Sequence, residues 1–117
     1  MTSKVVYILH RREGTTRQEM NAAWRAQLPI VSKYPGLTKW VHNYVLSPEG
    51  DDAVCDGYGE HYFESDEAMW ATVNSAEMQD AVEDAKTYLD MARTKMIVVQ
   101  SETIFERAAS ATSTNAS

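Results

Sequence analysis

The sequence of 117 residues contains a single cysteine and no long apolar run. One thiol, that of Cys55, cannot form a disulfide bond within the chain. No segment approaches the roughly 18 consecutive apolar residues that a membrane-spanning helix needs. The first residues also lack the basic leader and the small-residue cleavage site of a signal peptide. Together these absences predict a cytoplasmic protein without a membrane segment.

Positive charge is scarce as well, with 11 Lys and Arg against 17 Asp and Glu and a formal net charge of −6. The basic residues are scattered except in the short segment 10–12, whereas a nucleic-acid-binding surface normally shows a basic patch or stripe. We therefore expect no nucleic-acid partner. The length, the 44% of hydrophobic residues and the 24% of charged residues fit one ordinary globular domain.

Motifs of several common chemistries are missing too. The sequence has no glycine-rich phosphate-binding loop and no nucleophile elbow. Its histidines and its cysteine show neither His-x-His nor Cys-x-x-Cys spacing, and zinc sites typically draw several such ligands. We expect no metal and no cofactor. The one alternative is haem, because His42 or His61 could supply its axial ligand.

What the sequence does contain is four segments rich in β-branched and aromatic residues, which predict strands. They are Lys4–His10, Leu37–Leu46, Tyr58–Phe63 and Lys95–Phe105. The first predicted helix, Arg17–Tyr34, begins at a capping box of Thr16 and Glu19, and Pro29 should bend or break it. Ser65 and Ser75 have the character of caps for two further helices.

The order strand, helix, strand, strand, helix, strand predicts an α+β protein with the ferredoxin-like βαββαβ fold, in which one four-stranded antiparallel sheet carries the helices on one face. Residues 1–106 form the predicted domain and residues 107–117 a flexible polar tail. Because the strands are apolar on both sides, the second face also needs a cover, and a second copy of the chain is the simplest one. Glu60 is expected on that dimer side, paired with Lys39 or with the partner chain.

Two motifs within the span Lys4–Glu102 carry a family resemblance: the turn "PGL" at 35–37 and the pattern D-G-x-x-E-x-x-F-x-S at 56–65. With them the chain resembles the EthD-like family of dimeric α+β barrel proteins. The resemblance implies a homodimer whose two sheets face each other, and a ligand pocket between the sheet and the helices of each subunit. Relatives include cofactor-free isomerases, polyketide cyclases and quinone-forming monooxygenases, while others in the wider superfamily bind haem.

The sequence departs from that family at two positions. Relatives often carry a histidine on the first helix, where this chain has Gln27 in "WRAQLP". Catalytic relatives often have a tyrosine just after the "PGL" turn, where this chain has Trp40. Isomerase chemistry that uses the helix histidine therefore cannot be carried over, so an acid or base has to come from elsewhere in the chain.

Strand alternation groups the remaining candidates, because successive side chains point to opposite faces. Trp40, His42 and Tyr44 share one face of the second strand, and His61 shares its face of the third strand with Phe63. If both faces look towards the helices, the two imidazoles line one pocket together with the helix glutamine. Such a pocket suits a flat, mostly apolar molecule with a few oxygens.

Histidine exchanges a proton near neutral pH, so a pair of them can serve as base and acid on one substrate. We predict His42 and His61 as the catalytic residues. The predicted substrate-binding residues are Gln27, Trp40, Tyr44, Tyr7, Trp24 and Phe63. The alternative interpretation makes both histidines hydrogen-bonded core residues. His10, at a strand end before two arginines, is expected at the surface.

The leading functional hypothesis is a cofactor-independent enzyme that transfers a proton on a small aromatic or polyketide-like compound, in an isomerisation, dehydration, cyclisation or lyase reaction. A second hypothesis is a cofactor-free monooxygenase of phenolic or anthrone-like substrates, which an aromatic pocket allows equally well. A third is a non-catalytic accessory protein that binds a small molecule. Gln27 keeps the third hypothesis open, because it stands where relatives have histidine.

Overall fold

The computed structural model describes residues 2–49 and 54–109, and within them it contains four strands and four helices. The elements are β1 (Thr2–Leu9), α1 (Arg17–Arg25), α2 (Leu28–Val31), β2 (Leu37–Tyr44), β3 (Gly57–Phe63), α3 (Asp66–Val73), α4 (Ala76–Ala85) and β4 (Lys95–Ser101). Residues 50–53 of the polar loop after β2, and residues 110–117 of the predicted tail, lie outside the described residues.

The strands form one antiparallel sheet in the order β2-β3-β1-β4, as the ferredoxin-like prediction requires. The predicted last strand, however, is four residues too long at its end. Pairing between β1 and β4 finishes at Thr2 and Ser101. Ile104 and Phe105 therefore follow the sheet as exposed residues rather than as part of it. Likewise β2 ends at Tyr44, and Leu46 is almost fully exposed.

The first predicted helix is broken into two. α1 ends at Arg25 and α2 begins at Leu28, with Pro29 in the first turn of α2, where its missing N–H costs little. The capping box at the start of α1 is confirmed: Thr16 Oγ1 accepts from the Glu19 N–H at 3.0 Å, and Glu19 Oε1 accepts from the Thr16 N–H at 2.9 Å. Ser65 and Ser75 cap α3 and α4 in the same manner.

One residue of α1 fixes how closely that helix approaches the sheet. The six-membered ring of Trp24 packs against β3, and a Cβ placed on Gly59 would come within 2.6 Å of its Cζ2 atom. Gly57, two residues earlier on the same face, faces the same indole and the tip of Met20. Because both positions lack a side chain, the indole rests directly on the backbone of the sheet. This contact joins Trp24 and Met20 to Leu9 in the largest buried cluster of the protein.

The opposite face of the sheet holds a paired polar cluster among apolar side chains. Lys4 Nζ lies 2.5 Å from Glu60 Oε1, and the same carboxylate accepts hydrogen bonds from Tyr62 Oη at 2.8 Å and Asn43 Nδ2 at 3.0 Å. The expected pairing of Glu60 with Lys39 is wrong, since Lys39 Nζ sits over the Tyr62 ring, 4.6 Å from its centroid. The apolar residues of this face are Val6, Ile8, Val41, Ile97 and Val99.

A buried carboxylate ties the loop between β2 and β3 to the rest of the fold. Asp56 is 8% exposed, and its Oδ1 accepts from Arg17 Nε at 2.9 Å while its Oδ2 accepts from the Arg11 backbone N–H at 3.0 Å. Arg17 also donates to the carbonyl groups of Ser47 and Cys55, so it grips both ends of the loop. Burial raises the pKa of Asp56, but the hydrogen bonds from the two arginines outweigh burial and hold it below its ordinary value.

We expect Asp56→Asn to lower the free energy of unfolding by about 1–3 kcal/mol at pH 7, because it removes a buried carboxylate that pairs with the half-buried guanidinium groups of Arg11 and Arg17. Urea denaturation followed by circular dichroism measures the loss. The folded pKa of Asp56 is depressed, so its contribution is present above the unfolded pKa and is lost as the pH falls through the folded one. The two curves should therefore converge in acid.

The matched control for this prediction is Glu83→Gln, which removes an exposed ion pair with Lys86 at 2.8 Å. Exposed pairs of this kind contribute little, so we expect a change below about 0.5 kcal/mol. Equal losses in the two variants would show that the Asp56 cluster does not anchor the loop.

Candidate functional site

A cavity opens between the sheet and the helices, with about 460 Å³ of space when its open mouth is counted. β1 and β3 form its floor, the α1–α2 break and α4 form its walls, and the segment between α4 and β4 closes one side. Met91, which is 37% exposed, is the most exposed residue that lines it. Asp, Glu, Lys and Arg are absent from the lining within the part of the chain that the structure describes.

His61 lies in the floor of the cavity. Alternation along β3 turns it towards the helices, and it is 6% exposed. Its ring centroid is 4.8 Å from that of Tyr7, 5.6 Å from that of Tyr34 and 5.9 Å from that of Trp40. Within residues 2–49 and 54–109 no group hydrogen-bonds its ring nitrogens. Burial, with a smaller effect from His42, lowers the pKa of His61 to about 3, so the imidazole is neutral at pH 7.

Two tyrosine hydroxyls face the same space and share one weak acceptor. Tyr7 Oη lies 3.5 Å from Met78 Sδ, and Tyr34 Oη lies 3.7 Å from the same sulfur. A thioether is a weak hydrogen-bond acceptor. Burial raises the pKa of Tyr7 well above its ordinary value and raises the pKa of Tyr34 to about 12. Both phenols are therefore protonated donors at neutral pH, and a stronger acceptor can replace the sulfur.

Gln27 contributes an oriented amide to the cavity wall. It occupies the break between α1 and α2, where it is 7% exposed, and its Nε2 donates to the Ala81 carbonyl of α4 at 2.9 Å. This bond fixes which end of the amide is which, so the oxygen is the atom left to accept from a ligand. Gln27 thus lines the cavity, and its role in substrate binding stays a prediction.

His42 does not line this cavity, so the prediction that both imidazoles share one pocket is wrong. Its ring stacks on Trp24 with a centroid separation of 3.6 Å and an interplanar angle of 5°, and the edge of Trp40 closes its other side at 4.3 Å. The strand register explains the separation: His61 pairs with Trp40, whereas His42 pairs with Gly59, over which Trp24 lies. The Trp40 ring contacts both histidines, and Trp24 stacks on His42 alone.

The pKa of His42 is shifted in the same direction as the pKa of His61. Burial, with a smaller effect from Arg25, lowers the pKa of His42 to about 4. Its Nδ1 lies 3.4 Å from Tyr44 Oη, while its Nε2 is buried without a partner among the described residues. The catalytic role of His42 stays a prediction, but the ring has no direct route to a molecule in the cavity.

The other predicted binding residues divide into two groups. Tyr7 and Trp24 line the cavity, as predicted. Phe63 packs instead into the core with Val5 and Met69, and Tyr44 is 42% exposed beside Arg25. Trp40 is a wall between the two histidines rather than a lining residue.

His10 is buried rather than at the surface, at 8% exposure. The connection between α4 and β4 covers the end of β1, because Asp90 N–H donates to the His10 carbonyl at 2.8 Å and Thr94 Oγ1 accepts from the His10 N–H at 3.1 Å.

Two tyrosines that line the cavity, Tyr34 and Tyr88, were not among the site residues predicted from the sequence. Both follow an apolar stripe by three residues, Tyr34 after Val31 and Tyr88 after Ala85, which continues each stripe beyond the end of its helix. That spacing was the signal that could have placed them beside the sheet. Both are 4% exposed.

Within residues 2–49 and 54–109 no group of three or more His, Cys, Asp and Glu side chains is placed to hold a metal ion. None of the described helices combines the length and the apolar character needed to cross a bilayer.

A family model of the EthD domain matches residues 12–92, more than half of the chain. The chain belongs to the EthD domain family. The match spans the four helices together with β2 and β3, and it includes both sequence motifs on which the resemblance rested. The resemblance seen in the sequence is thereby confirmed.

Solved structures show the same fold as this EthD domain. An ethyl tert-butyl ether D (EthD) family protein from Bacillus halodurans has a TM-score of 0.70 at 14% identity, covering 87% of this chain and 100% of its own. A DABB family protein with a ferredoxin-like fold from Mesorhizobium loti has a TM-score of 0.65 at 13% identity, with coverages of 87% and 98%.

A third structure, from Thermobifida fusca, is a dimeric ferredoxin-like protein of unknown function. Its TM-score is 0.60 at 11% identity, and the alignment covers 85% of this chain and 88% of that one. A search of curated protein sequences found no match. At these identities the structures establish the fold alone.

The buried histidines predict a specific loss of stability in mild acid. The folded pKa of His61, about 3, lies below the unfolded value of about 6.5, so between these values the unfolded chain binds more protons. Stability is therefore full above about pH 6.5 and falls as the pH decreases. From pH 7 to pH 5 we expect His61 to account for a loss of about 2 kcal/mol.

Urea denaturation at a series of pH values measures this loss, with His61→Gln as the comparison. The variant lacks the titrating ring, so its stability should change less between pH 7 and pH 5. Parallel curves for the two proteins would contradict the burial of a neutral imidazole.

Proposed function

We propose that this EthD domain is a cofactor-independent enzyme that transfers a proton on a small aromatic or polyketide-like compound held in the cavity, with His61 as the base. The observation that carries the proposal is a neutral, buried imidazole without a protein hydrogen-bond partner among the described residues, placed beside phenol hydroxyls in a lining free of charged side chains. Groups with perturbed pKa values in such a cleft are candidates for acid and base roles.

The proposed step begins at a carbon atom next to a carbonyl group. His61 takes the proton from that carbon. The electrons of the C–H bond form a new carbon–carbon double bond, and the π electrons of the carbonyl move onto its oxygen, which gives an enolate. Tyr7 and Tyr34 donate hydrogen bonds to this oxygen in place of their bond to Met78. The imidazolium then returns the proton to a different carbon or to a leaving group, which gives isomerisation or elimination without any net redox change.

Burial accounts for how a base with a pKa near 3 could act. The apolar surroundings keep the empty ring neutral, so it is ready to accept a proton. They also make an isolated imidazolium unfavourable. When the enolate forms alongside, its negative charge stabilises the imidazolium strongly, because opposite charges attract more in a dry site than in water.

In this proposal His42 positions the cavity wall rather than reacting. It stacks on Trp24, which lines the cavity, and so holds the indole against β3. The sequence analysis predicted a second histidine as the acid. In this proposal the His61 imidazolium is itself the acid, because it gives back the proton that it took.

We expect the protein to accelerate deuterium exchange at the α-carbons of 2-tetralone, an uncharged bicyclic aromatic ketone, in D₂O. His61→Gln should lower the accelerated rate by roughly 10²–10⁴-fold, the usual effect of removing a general base. Proton NMR follows the loss of the α-proton signals. His42→Gln is the matched control, and it should keep most of the rate.

The outcomes separate the competing functions. Exchange no faster than in buffer, with the ketone bound and recovered unchanged, would favour a binding protein over an enzyme. Oxygen consumption during incubation with a phenolic substrate would favour the monooxygenase, because proton transfer consumes none. An equal loss in both histidine variants would restore the acid–base pair.

We also propose that the protein is a homodimer in which the outer sheet faces of two copies meet. That face carries Ile97, at 42% exposure, and Val99 on one edge strand and Val41 on the other, with the Lys4–Glu60 pair on the two strands between them. Exposed apolar sheet faces of this kind commonly mark interaction sites. The relative from Thermobifida fusca is described as dimeric, which supports the same arrangement here.

Sedimentation equilibrium at micromolar concentration should give twice the mass of one chain. Ile97→Arg places a charge in the proposed interface and should shift the protein towards the monomer. Trp70→Arg changes a residue that is 51% exposed on α3, away from that face, and should leave the dimer intact. A monomeric wild-type protein would overturn the proposal.

A further inference from the structure

Tyr88 is the one side chain of the cavity whose hydroxyl is buried without any partner in the described part of the chain. It lies in the segment between α4 and β4, is 4% exposed and lines the cavity. Burial, followed by the effects of Asp84 and Tyr34, raises the pKa of its phenol well above the ordinary value. The group is a protonated donor that no atom of the described residues accepts from, and an unpaired buried donor costs stability.

Hydroxyl donors predominate among the polar groups of the cavity, beside the two acceptors that Gln27 Oε1 and one ring nitrogen of neutral His61 provide. Three phenol hydroxyls are available, of which two share the thioether of Met78 and the third, that of Tyr88, has no acceptor in the residues described. The lining contains neither a cation nor a carboxylate within the same residues. A complementary ligand therefore brings acceptor oxygens and carries no net charge, because an anion would lose its hydration without gaining a counter-charge.

We infer that the cavity takes an uncharged ligand with at least two separated oxygens, and that Tyr88 is a specificity-determining residue which donates to the second. The position of the first oxygen, beside Tyr7 and Tyr34, rests on the proposed function. The assignment of Tyr88 rests on its own geometry: it is a 4% exposed residue that lines the cavity, and its hydroxyl lacks a protein acceptor among the described residues.

Titration calorimetry with three probes that share one ring system tests the inference. The probes are 2-tetralone, 6-hydroxy-2-tetralone and 6-carboxy-2-tetralone, and binding is measured without any need for turnover. The wild-type protein should bind the 6-hydroxy probe about fivefold more tightly than 2-tetralone, the gain of one neutral hydrogen bond. It should bind the carboxylate at least about tenfold more weakly than the 6-hydroxy probe.

Tyr88→Phe should abolish the preference for the 6-hydroxy probe while leaving affinity for 2-tetralone nearly unchanged. In the empty protein the same substitution should raise the melting temperature by roughly 2–5 °C, because it removes an unsatisfied buried hydroxyl. The control is Tyr62→Phe, whose lost hydroxyl bonds Glu60 at 2.8 Å on the other face of the sheet. That variant should melt at a lower temperature and keep the probe preference.

Three results would overturn the inference: a preference that survives in Tyr88→Phe, tightest binding of the carboxylate, or a fall in melting temperature as large as that of Tyr62→Phe. Failure of the wild-type protein to bind either uncharged probe would also contradict it. The proposed function fails separately, since it predicts deuterium exchange that depends on His61. A probe preference without exchange would leave Tyr88 as a recognition residue of a binding protein.

Discussion

The contact of Trp24 with two glycines of β3 determines the layout of the molecule. Since Gly57 and Gly59 present no side chains, α1 approaches the sheet closely enough for an indole to rest on the backbone. The same indole stacks on His42 and lines the cavity, so one side chain closes the core and forms a wall. A side chain on Gly59 would push Trp24, and α1 with it, away from the sheet.

The second constraint is that the titratable groups of the cavity are buried in a lining without charged side chains among the described residues. This burial favours the neutral form of each group. It lowers the pKa of His61 and raises the pKa of Tyr7 and Tyr34, which favours the neutral form in each case. The site therefore offers proton exchange and hydrogen bonding to an uncharged molecule. Charge enters only when a reaction creates it, and then the dry surroundings couple the new charges strongly.

The sequence was sufficient for features that depend on local pattern. Capping residues, strand alternation and the order of elements predicted the topology and the inward direction of His61 and Gln27 correctly. It was insufficient where the outcome depends on which residues face each other across strands. The pairing of His42 with Gly59, and the fit of Trp24 into that gap, are long-range contacts that no local spacing reveals.

Polar groups on the two faces of the sheet differ in whether they have hydrogen-bond partners, and this difference bears on function. On the outer face, Glu60 is bonded by a lysine, a tyrosine and an asparagine, so its charge is fully paired. Between the sheet and the helices, the described residues leave Trp40 Nε1, His42 Nε2 and the Tyr88 hydroxyl buried without partners. Unpaired buried groups lower stability and are rare in folded proteins. Tyr88 is the one of these three residues that lines the cavity. Since Glu60 is fully paired on the outer face, the unpaired Tyr88 hydroxyl is better explained by a ligand than by loose packing.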